Sequence, residues 1–229
     1  MMLQGYGPLI ASGTWMTLQL ALLALAAALL LGLAGASARL SASRLLQTLA
    51  AGYTTLIRSV PDLVTMLLLF YSLQIALNHL TEWAGLAQID IDPFVAGVVT
   101  LGIIYGAYFT ETFRGAFQAV PRGQLEAAVA YGMTPWQVFR RVLFPQMMRF
   151  ALPGIGNNWQ VMIKATALVS IIGLSDVVKA TQDAGKGSLQ LFFFSLVAAA
   201  IYLAITTVST LLLAWLGRHY AAGVRKAEL

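Results

Sequence analysis

The sequence contains no cysteine, which excludes disulfides, thiolate metal sites and cysteine nucleophiles. Histidine is nearly as scarce: His79 and His219 stand far apart with no ligand cluster around either. Metal sites need several convergent ligands, so no metal is expected. Charge is sparse as well. Charged residues make up 10% of the 229-residue chain, against about 25% in an ordinary soluble domain. A phosphate loop of the form GxxxxGK followed by Ser or Thr is missing too. Gly185-Lys186-Gly187-Ser188 has its flavour without its spacing, so the chain is not expected to hydrolyse ATP itself. A serine-based membrane enzyme would need a base beside its nucleophile, and neither histidine falls within an apolar run.

What is abundant is hydrophobic surface, 59% of all residues, gathered into runs long enough to cross a bilayer, about 20 residues or more. The first run extends from about Leu9 to Ala36, too long for a signal-peptide core and without a basic region before it; it reads as a retained spanning helix. The second goes from about Leu56 to Leu77 and contains Arg58, Pro61 and Asp62. The third begins after Asp92-Pro93 and continues to about Phe117, with Glu111 and Arg114 near its end. The fourth covers roughly Ala151 to Leu174 and the fifth Leu191 to Leu216. The expectation is an all-α, five-span membrane protein forming a single domain over residues 1–229.

Lys and Arg set the orientation of such a protein. With the N-terminus outside, Arg39, Arg44, Arg122, Arg140, Arg141, Arg149, Arg218, Arg225 and Lys226 all become cytoplasmic. The outer loops then hold Glu82, Asp90, Asp92, Asp176 and Asp183 against Lys179 and Lys186. The net charge of +5 therefore reads as a topology signal, and nucleic acid is not a candidate partner. No internal repeat stands out, and an odd number of spans forbids a simple inverted duplication. Five helices make a thin pore for alternating access, so a second, similar subunit is expected to complete it.

The most informative stretch is the loop at about 118–149. Gly132 suits a helix end or a sharp bend because it tolerates positive φ. Thr134-Pro135 has the form of an N-cap followed by proline at the first helical position. Two short helices at a bend would make a compact knob; an ordinary amphipathic loop is the alternative. The run Glu126, Ala127, Ala128, Gly132, Phe144, Pro145 resembles the coupling loop of the permeases of ABC-type importers. In that family the knob seats in a cleft of the ATPase subunit. Gly52 to Asp62, Ala107 to Gly115, and Gly156 to Gln160 with Lys164, Thr166 and Ser170 are similar to helices two, three and four of polar amino-acid permeases. Together they look closest to the Q-type permeases of histidine and lysine–arginine–ornithine importers.

That resemblance implies a type I importer permease in the bacterial inner membrane, with its N-terminus periplasmic and its C-terminus cytoplasmic. It implies an M-type permease as heterodimer partner, an ATPase dimer that binds ATP and Mg, and a periplasmic binding protein. This chain would hold no cofactor of its own. The cargo it implies is basic L-amino acids, with another polar amino acid or an opine-like derivative as the alternative. A nucleotide-independent channel is a further reading, separable by its lack of any ATPase requirement.

Ionisable side chains within a span cost about 2.5–3.5 kcal/mol each at a helix centre and so face partners or wet cavities. Asp62 suits a cationic substrate side chain; an ion pair with Arg58, four residues earlier, is the structural alternative. Glu111 carries the same ambiguity with Arg114, which could itself take a substrate carboxylate. Tyr108 joins these candidates through the resembling segment. Asn158 and Gln160, with Asn157 beside them, offer amides to a cavity or act as glue between helices. Pro153, Gly154 and Gly156 permit a bend before them. Lys164 is not expected to face lipid and is a candidate partner for one of the carboxylates.

Overall fold

A computed structural model of the chain describes residues 5–220, and among these the secondary structure is entirely helical. Its centre is the pair α1 (Gly7–Leu40) and α4 (Pro93–Gln118). Lipid tails are as apolar as leucine, so helices in a membrane associate through close van der Waals fit, which small residues permit. The sequence supplies them at helical spacing: Ala24, Ala28, Gly32 and Ala36 line the buried face of α1. Gly97, Gly102 and Gly106 answer from α4. A Cβ added at Gly32 would lie 2.5 Å from that of Phe109, and one at Gly102 would lie 2.9 Å from that of Ala27. The two backbones therefore meet without side chains between them. Their contacts also advance together, Leu20 with Gly97 and Leu31 with Gly106, so the helices run parallel.

Around this pair lie α2 (Arg44–Ser59), α3 (Asp62–Trp83), α7 (Phe144–Ala165), α8 (Val177–Ser188) and α9 (Leu191–Tyr220). Helix α7 runs antiparallel to α4, with Val169 beyond its end against Gly97 and its own Gly154 against Thr112. Between α4 and α7 the chain forms α5 (Arg122–Ala130), a four-residue α6 (Pro135–Val138) and a π-turn (Phe139–Leu143). Asp92 starts α4 by accepting from the amides of Phe94 and Val95 at 2.9 and 3.1 Å, while Pro93 presets the first turn.

Helices α1, α3, α4 and α9 are long and apolar enough to cross a membrane. A further crossing exists where Pro135–Ile172 and Val177–Ser188 are taken as one span bent by 58°. The break has a local cause. Thr166–Ile172 tightens into a 3-10 helix and Gly173, at φ 106°, ends it in the left-handed region, where glycine carries no Cβ penalty.

Several expectations are corrected. The second apolar run is two helices, because Pro61 drives Val60 to an extended conformation (φ −108°, ψ 141°), as a residue before proline prefers. Arg58 and Asp62 therefore do not share a helix face, and no ion pair joins them. Pro153 does not interrupt the helix: α7 runs through it from Phe144 to Ala165. The expected outer loop after the fourth run is mostly α8, and Asp176 at its start is fully buried rather than solvated. The amide of Val177 beside it donates to Thr17 of α1 at 3.0 Å. Arg225 and Lys226, read as topology signals, lie outside the described residues.

Candidate functional site

The break at Pro61 brings the end of α2 and the start of α3 against the middle of α4. Asp62 Oδ2 accepts from the hydroxyl of Tyr105 at 2.9 Å. Tyr105 stacks on Tyr108, one helical turn on, with ring centroids 5.6 Å apart. The Arg58 guanidinium lies 5.3 Å from the centre of the Tyr108 ring, within the range of a cation–π contact. The two charges that the sequence suggests as an ion pair are thus held apart by two stacked tyrosines. Oδ1 of Asp62 accepts no hydrogen bond among the described residues.

Glu111 sits one turn beyond Tyr108 and is firmly held. Its carboxylate accepts from Arg114 Nε at 2.8 Å, lies 2.7 Å from Arg114 Nη2, and accepts from the Thr54 hydroxyl at 3.2 Å. Arg39, from the last turn of α1, adds a third partner at 3.5 Å. Arg114 also donates to Gln118 at 3.1 Å. The group therefore ties α1, α2 and α4 together, and both Glu111 and Arg114 are already engaged. A cavity of about 440 Å³ opens beside it, lined by Arg39, Thr54, Thr55, Arg58, Ser59, Tyr108 and Glu111.

The amides of α7 are structural in geometry. Asn158 donates to Thr112 of α4 at 3.0 Å, and Gln160 donates to Thr210 of α9 at 3.1 Å. Asn157 is exposed beside a second cavity of about 480 Å³ between α7 and α9. Lys164 is exposed too and pairs with neither Asp62 nor Glu111.

The stretch between α4 and α7 folds as a projecting knob. Gly132 turns the chain at φ 78°, a conformation that costs other L-residues roughly 1–2 kcal/mol. Thr134 caps α6 in a reciprocal box with Gln137, and Pro135 takes the first position. Trp136 stacks on Phe139 at 5.7 Å, with Phe144 6.0 Å beyond. Tyr131, Trp136 and Val129 remain exposed, at 87%, 65% and 62%. Glu126 and Ala127 are exposed on α5, while Ala128 is buried; Pro145 lies in the first turn of α7.

Arg39, Thr54 and Tyr105 were not among the sequence candidates. Arg39 reads as a topology charge in the sequence, and Thr54 is one hydroxyl among many. Tyr105 carries a usable signal: it sits three residues before Tyr108 in a span, so it shares that face.

A membrane bundle with paired ionisable groups toward the ends of its long helices and a projecting knob is the build of a solute permease, and the chain belongs to the family described as binding-protein-dependent transport system inner membrane components, whose profile matches residues 24–222. It is 60% identical over 228 residues to the histidine/lysine/arginine/ornithine transport system permease protein HisQ of Escherichia coli (strain K12), covering 100% of both chains. It is 39% identical over 206 residues to the octopine transport system permease protein OccQ of Rhizobium radiobacter, covering 90% of this chain and 87% of that protein. Among solved structures it is similar to an amino acid ABC transporter crystallised with histidines, at a TM-score of 0.77 and 35% identity, covering 93% and 95% of the two chains. The chain is a multi-pass permease subunit of an ABC importer in the bacterial inner membrane, with the type I permease fold. ATP hydrolysis and substrate capture belong to separate subunits.

Proposed function

We propose that this chain is the Q-type permease of an importer of basic L-amino acids: histidine, arginine, lysine and ornithine. It crosses the membrane five times, N-terminus outside and C-terminus inside. An M-type permease completes the pathway, and an ATPase dimer binding ATP and Mg drives it. The loop at about 118–149 is the coupling knob: Glu126, Ala127, Ala128, Gly132 and Pro145 shape the face that seats on the ATPase. Its exposed aromatics support that role, since exposed apolar patches mark docking surfaces.

The observation that carries the substrate assignment is Asp62. Its carboxylate starts α3 level with the middle of α4, fixed by Tyr105 yet with one oxygen open, which suits a cationic side chain. Tyr108 supports it from below. Glu111 and Arg114 shape the wall of the site, and their mutual ion pair leaves them a smaller part in recognition. Asn158 and Gln160 tie α7 to its neighbours through their bonds to Thr112 of α4 and Thr210 of α9, and their part in recognition is secondary to that of Asp62. In reconstituted complex with its binding protein, Asp62→Asn should lower arginine-stimulated ATP hydrolysis about tenfold and leave basal hydrolysis intact. Wild-type transport by that variant would remove Asp62 from the site. An octopine relative at 39% identity favours an opine as the second reading, and uptake that octopine outcompetes over arginine would establish it.

A further inference from the structure

Helix α2 is not one of the helices able to cross the membrane. Its 16 residues make about 24 Å of helix, and a span needs about 20 apolar residues in a row. It is fastened instead beside the last turns of α1 and α4. Near its start Gln47 donates to the Ser41 carbonyl at 2.6 Å. In its middle Tyr53 donates to the Ile103 carbonyl and Thr54 to Glu111, and at its end Arg58 lies against the Tyr108 ring. Because α1 and α4 run parallel, with Gly35 against Thr110, their last turns lie on one side of the bundle. With the N-terminus outside, that side is cytoplasmic.

At about 100° per residue, α2 has three faces roughly 120° apart. Ala50, Thr54 and Ile57 are buried against the bundle. Leu45, Leu49 and Leu56 fall within about 40° of arc and are 68%, 61% and 67% exposed. Arg44, Thr48, Thr55, Arg58 and Ser59 occupy the third face, all of them exposed. Such a helix is built to meet protein, hydrocarbon and a polar medium at once, which is the position of a helix lying in the membrane interface. The charge is one-sided as well. From Arg39 to Pro61 the chain has three arginines and no carboxylate. Arg39 is engaged by Glu111, whereas Arg44 and Arg58 have no ion pair among the described residues. The contact of Arg58 with the face of the Tyr108 ring leaves its N–H donors free for an anion.

We propose that α2 binds anionic phospholipid of the cytoplasmic leaflet, with acyl chains on Leu45, Leu49 and Leu56 and headgroup phosphates on Arg44 and Arg58. This rests on the orientation proposed above and goes beyond it, since it assigns a ligand to a helix that neither crosses the membrane nor lies in the knob. Arginine suits a phosphate through paired, charge-assisted hydrogen bonds. Each arginine at an anionic membrane surface strengthens attachment about fivefold, so the pair sets a clear preference over zwitterionic lipid.

The test places a fluorophore on Leu49→Cys, this chain having no other cysteine, in the full complex with the cysteines of its other subunits removed. The complex is held in nanodiscs of phosphatidylcholine, and quenching is titrated with doxyl-labelled phosphatidylglycerol or doxyl-labelled phosphatidylcholine. Both lipids should quench, phosphatidylglycerol with at least fivefold higher apparent affinity, and salt should shrink the difference. Arg44→Gln with Arg58→Gln should bring phosphatidylglycerol down to the level of phosphatidylcholine, while Arg44→Lys with Arg58→Lys keeps most of the preference and so separates lost charge from lost fold. Absence of quenching by either lipid overturns the proposal, because the leucine stripe then faces water or another subunit. Equal quenching by the two lipids overturns it too, as does a preference that survives the double Gln variant. Orientation is tested separately: labelling of Thr48→Cys by a membrane-impermeant maleimide from outside intact spheroplasts would fail the N-terminus-outside reading, whereas protection there with no lipid preference fails only the present one.

Discussion

The α1–α4 seam and the α5–α6 knob solve opposite problems with opposite residues. At the seam, Ala24, Ala28, Gly32 and Ala36 let two backbones touch, and the burial is complete. At the knob, Val129 and Trp136 stand in the open on helices of nine and four residues, with Tyr131 exposed at the turn between them. In water the large apolar residues would go inside and the small ones would be filler. In lipid the small residues form the rigid frame, and large exposed aromatics outside the spans mark where another protein sits. The seam should thus fail by not assembling, and the knob by assembling without coupling.

The largest effect is expected at Gly32. Gly32→Val places a branched side chain where even a Cβ lies 2.5 Å from Phe109, and neither backbone can retreat without breaking the seam. Folded protein recovered from membranes should fall severalfold or vanish, read as monodisperse material by gel filtration. Gly52→Ala, where an added Cβ meets nothing within 4 Å, should be indistinguishable from wild type. A stable Gly32→Val protein would mean that the seam is not the frame.

A smaller and different loss is expected at the knob. Gly132→Ala must adopt φ 78° at a cost of roughly 1–2 kcal/mol, or relax and re-aim α6. Glu126→Lys reverses an exposed charge on α5 and touches no buried group. Both variants should assemble with a melting temperature within a few degrees of wild type, and both should lose most stimulation of ATP hydrolysis by loaded binding protein. Normal stimulation in both would assign coupling to another surface.

How much of this was legible beforehand divides along the same line. The long apolar runs gave the spans, because bilayer thickness sets their length, and the Thr134-Pro135 cap and Gly132 turn were visible as local backbone chemistry. The break between α2 and α3 was misread although Pro61 announced it, because hydropathy runs unbroken across Val60-Pro61. Asp176 was misplaced for a related reason: charge suggested solvent, but the tertiary contact with α1 at Gly13 and Thr17 decides its burial. The clamp on Glu111 was half visible. Arg114 follows three residues later on the same helix, whereas Arg39 and Thr54 arrive from helices whose placement no local pattern encodes.

The smallest effect tests whether the frame depends on its caps as well as its seam. Asp92 satisfies two amides at the start of α4, and the same turn is tied by Gln74, which donates to the Ile89 carbonyl at 2.9 Å and accepts from the Ile91 amide at 2.8 Å. Losing a carboxylate cap costs about 1 kcal/mol. Because α4 is held along its whole length by α1, Asp92→Ala should leave assembly and transport intact and lower the melting temperature of the complex by only a few degrees. Asp92→Asn, which keeps the acceptor oxygen, should recover most of that loss. A collapse on the scale of Gly32→Val would show that α4 is nucleated at this end, with the seam closing only afterwards; no shift at all would place the whole stability of α4 in its contact with α1.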